Sequence, residues 1–222
     1  VVLVQATARA FAAVTASGSV ISWGHPTAGG DCSAVQQKLV DVQRVYAGGY
    51  AFAAVLRSGE VVTWGSPEDG GDNSTVHDLL QDVLHISGSA TAFAAILRTG
   101  RVVTWGNTRG GGDSSEVQDQ LTDVKEVYAT GLSFAALRGD GRVVSWGRSS
   151  DICKVQEQLV DVQQIAASGA AFAAVLKSGQ VVTWGTAEIG GDCSRVAHQL
   201  LDVQQVQASG AAFAALLRDG RV

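Results

Sequence analysis

Along the chain, short stretches of alternating apolar and small residues are separated by polar turns, and the whole arrangement recurs. One stretch reads Phe52-Ala53-Ala54-Val55-Leu56, the next Glu60-Val61-Val62-Thr63-Trp64, and the pair flanks the turn Ser58-Gly59. Period-two alternation on either side of a two-residue turn predicts a β-hairpin. The β-branched segment from Val42 to Ala47 predicts a further short strand before it. After Trp64-Gly65 a polar loop ends in Gly70-Gly71-Asp72, followed by Val76 and Leu80. That i, i+4 spacing predicts the inward face of a short helix, with Asp72 placed to accept from the free amides at its start. Two helical turns are not stable alone in water, so this helix must pack on its neighbouring strands.

The unit is written repeatedly. The five Trp stand at 23, 64, 105, 146 and 184, and the six Phe at 11, 52, 93, 134, 172 and 213, so the step is 41 except for one of 38. A fixed period in this range marks a solenoid, propeller or array and leaves no internal domain boundary, so the expectation is one repeat domain over 1–222. The hairpin turn carries Gly in all six copies, at 18, 59, 100, 141, 179 and 220, as a position with positive φ requires. Asp31, Asp72, Asp113 and Asp192 recur before the helix, and its inward pair recurs as Val35/Leu39, Val76/Leu80, Val117/Leu121, Val155/Leu159 and Val196/Leu200.

Composition narrows the architecture. Only 6% of the residues are aromatic, and Ala fills nearly every position beside the six Phe, the exception being Ser133. Small residues on crowded inner strands suit sheets that converge on an axis, as propeller blades do; periodicity alone leaves a linear β-solenoid open. The fold class expected is therefore mainly β, a propeller of about 41-residue blades, each three short antiparallel strands plus a short helix. The formal charge of −5 provides no basic field to gather nucleic acid, and the longest apolar runs, seven residues, fall far short of a membrane span. Three Cys, at 32, 153 and 193, do not make a disulfide framework and favour a reducing intracellular compartment. The chain has no Met, begins at a first strand and stops at the start of a third, so part of a longer ring is expected. Seven such blades would need about 65 residues more.

The string Val203-x-x-Val206-x-Ala208, Phe213-Ala214-Ala215-Leu216-Leu217 and Asp219-Gly220, continued in other copies by Val-Thr-Trp-Gly, resembles the repeat of the regulator of chromosome condensation propellers. It is most similar to their short-repeat relatives, such as the propeller-type β-lactamase inhibitory proteins. The resemblance covers the whole chain and implies a propeller. For function it implies only a range, since the family includes exchange factors, inhibitors, photoreceptors and ubiquitin-ligase accessory domains. The Ala-Phe-Ala-Ala block stands where the family usually carries a His, and no Gly-Trp-Arg-His-Thr photoreceptor motif occurs. A WD40 assignment fits less well, because Gly follows every Trp.

Chemistry-bearing groups are sparse. The Gly-Gly-Asp copies supply one carboxylate each, 41 residues apart, which suits capping and not a stacked calcium array. The loop from Gly106 to Asp113 lacks the Lys-Ser/Thr pair of a phosphate loop. His25, His77, His85 and His198 occupy four different slots of the repeat, and Cys32 and Cys193 share a slot at a helix start. No nucleophile–base set stands out, so neither catalysis, metal nor cofactor is expected.

Following the chain direction separates two rims. Arg57, Arg98, Lys177 and Arg218 should share one with Asp41, Asp82, Asp123, Asp161 and Asp202, as a ring of alternating charge. The opposite face collects the loops before Phe and after Trp-Gly, where the copies differ: Arg9, Tyr50, Thr91 and Leu132 in one set, His25-Pro26, Pro67-Glu68, Thr108-Arg109, Arg148 and Glu188 in the other. The fourth copy loses three residues and reads Arg148-Ser149-Ser150-Asp151-Ile152-Cys153-Lys154, a notch bearing Arg148, Ile152 and Lys154. Slots that the symmetry leaves free can serve recognition. The function expected is a noncatalytic propeller that binds another protein or a multi-subunit assembly, with no nucleic acid and no membrane insertion. The alternative is a regulatory protein, an exchange factor or enzyme inhibitor.

Overall fold

A computed structural model of the chain describes residues 1–148 and 154–222. Two compact units, 1–115 and 116–222, are considered in turn. The first holds three sheets, each with its strands in sequence order: β1 (Leu3–Ala6), β2 (Ala10–Val14) and β3 (Val20–Gly24); β4 (Val42–Ala47), β5 (Ala51–Leu56) and β6 (Val61–Gly65); β7 (Val83–Gly88), β8 (Ala92–Leu97) and β9 (Val102–Gly106). The second unit holds β10 (Val124–Ala129), β11 (Ser133–Arg138) and β12 (Val143–Gly147); β13 (Val162–Ala167), β14 (Ala171–Leu176) and β15 (Val181–Gly185); and the pair β16 (Val203–Ala208) and β17 (Phe213–Leu217). All neighbours are antiparallel, as the hairpin pattern requires. These are propeller blades, one per repeat.

The hairpin glycines adopt the positive φ their slot demands, from 75° at Gly141 to 90° at Gly59. Five aspartates, Asp41, Asp82, Asp123, Asp161 and Asp202, are also left-handed, with φ of 51–56°. Asp is one of the few residues that visits this region readily, through local hydrogen bonding of its short side chain. There the chain enters each new blade under the preceding hairpin: Val42 N–H donates to Gly18 O and Arg57 N–H to Asp41 O, both at 2.9 Å. The same backbone pair holds Val203 to Gly179 and Arg218 to Asp202. The cationic slot and the Asp slot therefore share a rim, as expected, but backbone joins them. Ion pairs here link close neighbours, Lys125 to Asp123 and Arg138 to Asp140.

The short helix takes the form of 3-10 turns, at Ser33–Lys38, His77–Leu79, Ser115–Gln120 and Gln156–Gln158. The stretches are three to six residues long, a length at which the tighter i→i+3 bond is common. Their purpose survives the change of geometry. Leu39, Leu80, Leu121 and Leu159 are buried, and Val35, Val76 and Val155 pack against the same cores. In the last copy Val196 is exposed and Leu200 half-buried.

The cores lie between blades. One joins Ala12, Val14, Val20 and Leu39 of the first repeat to Val45, Phe52, Ala54 and Trp64 of the second. In each of the first five repeats Phe stacks on its cross-strand Trp partner, with ring centroids 5.1–5.4 Å apart. The Trp64 indole N–H donates to Gly29 O and that of Trp105 to Gly70 O, both at 3.0 Å, so these two Trp fasten their blades to the loop of the blade before. A Cβ on Gly70 (φ 98°) would lie 2.5 Å from Phe93 Cδ2, which is why the turn seated on that ring is glycine.

Candidate functional site

The loops before Phe and after Trp-Gly are bonded to each other. His25 N–H donates to Arg9 O (2.9 Å), Ser66 N–H to Tyr50 O (3.0 Å), Asn107 N–H to Thr91 O (2.9 Å), Arg148 N–H to Leu132 O (3.0 Å) and Thr186 N–H to Ala170 O (3.0 Å). One backbone geometry thus brings Arg9 to His25 and Leu132 to Arg148, pairs that sequence separation alone does not join.

Four of the loops after Trp-Gly are also closed on themselves. Gly30 N–H donates to His25 O, Gly71 N–H to Ser66 O, Gly112 N–H to Asn107 O and Gly191 N–H to Thr186 O, at 2.8–3.0 Å. Within the closed loop sits a single 3-10 turn, with Pro26 or Pro67 at its first position in the first two copies. Proline there presets φ and removes an amide that has no helical partner. Side chains add local ties: Thr27 Oγ1 lies 3.1 Å from His25 Nδ1, Ser66 Oγ donates to Asp69 Oδ2 (2.7 Å), and Asn107 Oδ1 accepts from Arg109 N–H (3.0 Å). The result is a stiff frame carrying different side chains at equivalent points.

Arg9, His25, Pro26, Arg109, Arg148, Lys154 and Glu188 are exposed, and Tyr50 and Leu132 half-buried. Ile152 lies outside the described residues. Beyond the loops, Asp31, Asp72, Asp113 and Asp192 accept from the amides of Ser33, Ser74, Ser115 and Ser194 at 2.8–2.9 Å. Those bonds hold the four carboxyls below the ordinary aspartate range. Each carboxylate accepts from the amide two residues on, a local Asp turn; the helix cap expected of these aspartates is not formed, since the 3-10 turns at Ser33–Lys38 and His77–Leu79 start from Cys32 and Val76 with no side-chain cap. Cys32 is buried, its Sγ 3.1 Å from Gln36 Oε1, and Cys193 N–H donates to Thr183 Oγ1. Among the described residues, no three His, Cys, Asp or Glu side chains gather as metal ligands, and no helix is long and apolar enough to cross a membrane.

Sequence reasoning passed over one surface. In the first blade the ladder rows Val4–Ala13–Ile21 and Ala6–Phe11–Trp23 fall on one face. Phe11 is 45% exposed and Trp23 46%, whereas Phe52 and Trp64 in the second blade are at 0% and 4%.

No known family profile matches the sequence, and no curated protein resembles it at the sequence level. Solved structures do resemble it in fold. Human WBSCR16 superposes with a TM-score of 0.54 at 17% identity, over 95% of this chain and 70% of that one. Prp20p from Saccharomyces cerevisiae, the yeast RCC1, gives 0.58 at 16% identity, over 97% and 68%. The ectodomain of the receptor kinase ACR4 from Arabidopsis thaliana gives 0.55 at 17% identity, over 94% and 72%. At these identities the likeness is one of fold: the chain is built as a β-propeller, and an RCC1 propeller is among the structures similar to it.

Proposed function

We propose that this chain is a noncatalytic propeller that binds another protein through the paired loops after Trp-Gly and before Phe, as an interaction module or scaffold subunit. The observation that carries the reading is the hydrogen-bonded loop frame, which repeats while the exposed side chain at one slot changes from Thr27 to Glu68, Arg109 and Glu188. A stiff scaffold with differing polar side chains loses little entropy on binding and supplies specificity through position. The fold likeness to Prp20p, whose structure was described together with its binding to Gsp1p and histones, supports a protein partner.

The test is affinity capture from the native source with the wild-type chain and with an Arg9→Glu, Arg109→Glu double variant. A stoichiometric protein retained by the first and lost by the second is the expected result; recovery of the chain alone, or of the same partner on both, overturns it. The alternative reading, a regulatory role as an exchange factor or enzyme inhibitor, rests on the resemblance of the repeat alone. It is checked by nucleotide release across a panel of small GTPases, where absence of acceleration removes exchange activity.

A further inference from the structure

At the entry to the third blade, two slots of the repeat carry leucine where sister copies are polar. Leu79 stands in the slot of Lys38, Gln120, Gln158 and Gln199, and Leu84 in that of Gln43, Lys125, Gln163 and Gln204. Leu79 is 59% exposed, and Leu84, the bulge residue of β7, is 50% exposed. Asp82 turns the chain between them, on the rim opposite the variable loops. The backbone is open at the same point. Val42, Val162 and Val203 each donate to the preceding hairpin glycine, Gly18, Gly141 and Gly179, at 2.9 Å, and a Cβ on those glycines would lie 2.9–3.1 Å from the following Asp Cα. The third blade keeps the bond from Arg98 N–H to Asp82 O, but no bond joins Val83 to Gly59. There Val83 is only half-buried, and a Cβ on Gly59 would meet nothing within 4 Å.

Charge is unmatched beside it. Arg142 and Arg221, in the slot of Arg101, follow turns whose aspartate pairs with an arginine of its own hairpin, Asp140 with Arg138 at 3.2 Å and Asp219 with Arg221 at 2.7 Å. The third hairpin has Thr99 in that turn slot; Arg98 and Arg101 are exposed, and neither has an ion pair among the described residues. We propose that this point of the rim docks an extended segment of a partner protein in which an apolar residue stands beside an acidic one. The apolar side chain lies against Leu79 and Leu84, the carboxylate pairs with Arg98 or Arg101, and the segment's main chain serves Val83 N–H and Gly59 O. Glu60, Asp78 and Asp82 are exposed nearby, so the match is to a single carboxylate and not to a polyacidic stretch. This surface lies opposite the loop face proposed above, and either reading can fail without the other.

The probe is a series of fluorescein-labelled decapeptides, each with one leucine flanked by glutamate, glutamine or lysine in a serine–threonine background, titrated against the full chain by anisotropy. Saturable binding of the glutamate peptide is expected, with Kd raised at least about tenfold by Leu79→Gln combined with Leu84→Gln, and likewise by Arg98→Gln combined with Arg101→Gln. The leucine changes install residues that sister copies carry, so the circular dichroism spectrum should be unchanged. Arg9→Glu with Arg109→Glu, on the loop face, should bind the peptide as the wild type does. Four results overturn the proposal: no binding up to millimolar peptide, glutamine or lysine peptides bound as well as the glutamate one, unaltered binding by the leucine variant, or a concentration-dependent dimer of the chain alone that the leucine variant dissolves. The last result assigns the surface to a second copy.

Discussion

The first and second blades carry the same pattern and meet opposite fates. Val45, Ala54, Val62, Phe52 and Trp64 occupy the ladder positions of Val4, Ala13, Ile21, Phe11 and Trp23, with the same Phe–Trp stacking. In the second blade all five are buried; in the first only Ala13 is. Cross-strand contacts within a sheet are therefore not what removes this motif from water. The neighbouring blade does, and a repeat's apparent core is half of an interface. Burial of a Phe side chain contributes about 1.5–3 kcal/mol, so identical residues contribute unequally along the chain.

Substitution at the two Phe positions breaks the comparison most strongly. Phe52→Ala should cost about 3–5 kcal/mol, because it empties a site closed on every side. Phe11→Ala should cost about 1 kcal/mol or less, since water already reaches the ring. Urea unfolding midpoints at fixed temperature measure the gap, and equal costs would show that the first blade gains its stability from within the sheet.

A smaller contrast concerns two glycines of similar backbone. Gly59 has φ 90° with open space around its Cβ position, whereas Gly70 has φ 98° with the Phe93 ring 2.5 Å away. Gly59→Ala should cost about 1–2 kcal/mol, the left-handed penalty alone. Gly70→Ala adds a clash with Phe93 and should cost visibly more, read from the same midpoints. Equal values would place the whole requirement at Gly70 in φ.

The smallest effect expected is on pH. Asp31, Asp72, Asp113 and Asp192 have folded pKa values below the ordinary 3.8, principally because serine amides donate to them. A depressed folded pKa gives stability that is present above the unfolded value and lost as the pH falls through the folded one. Asp72→Asn keeps an acceptor for Ser74 N–H and should leave neutral-pH stability nearly unchanged while reducing the acid-side loss. Stability followed from pH 5 downwards checks this; an undiminished loss would assign the acid sensitivity to other carboxyls.

Much of the architecture was legible in the residues because it is local. The Trp-Gly and hairpin-Gly registers marked strand ends and positive φ, the spacing of Val35 and Leu39 marked a side that packs, and the shared rim followed from chain direction. The variable loops were identifiable as departures from the repeat, and their backbone pairing, Arg9 with His25 and Leu132 with Arg148, needed coordinates because it crosses a hairpin. The 3-10 form was not legible, since a pair such as Val35 and Leu39 marks an inward side in either helix.

By itself the sequence determined the repeat, its three strands and the glycines that turn the hairpins, because sterics and hydrogen bonding within a few residues decide those. Only the tertiary structure decided which copies of an identical motif are buried. Phe11 and Phe52 sit in the same residue context, Ala-Phe-Ala-Ala-Val, yet one ring meets solvent and the other the backbone of Gly29. Burial is set by what lies across the interface, and that partner comes from a different repeat.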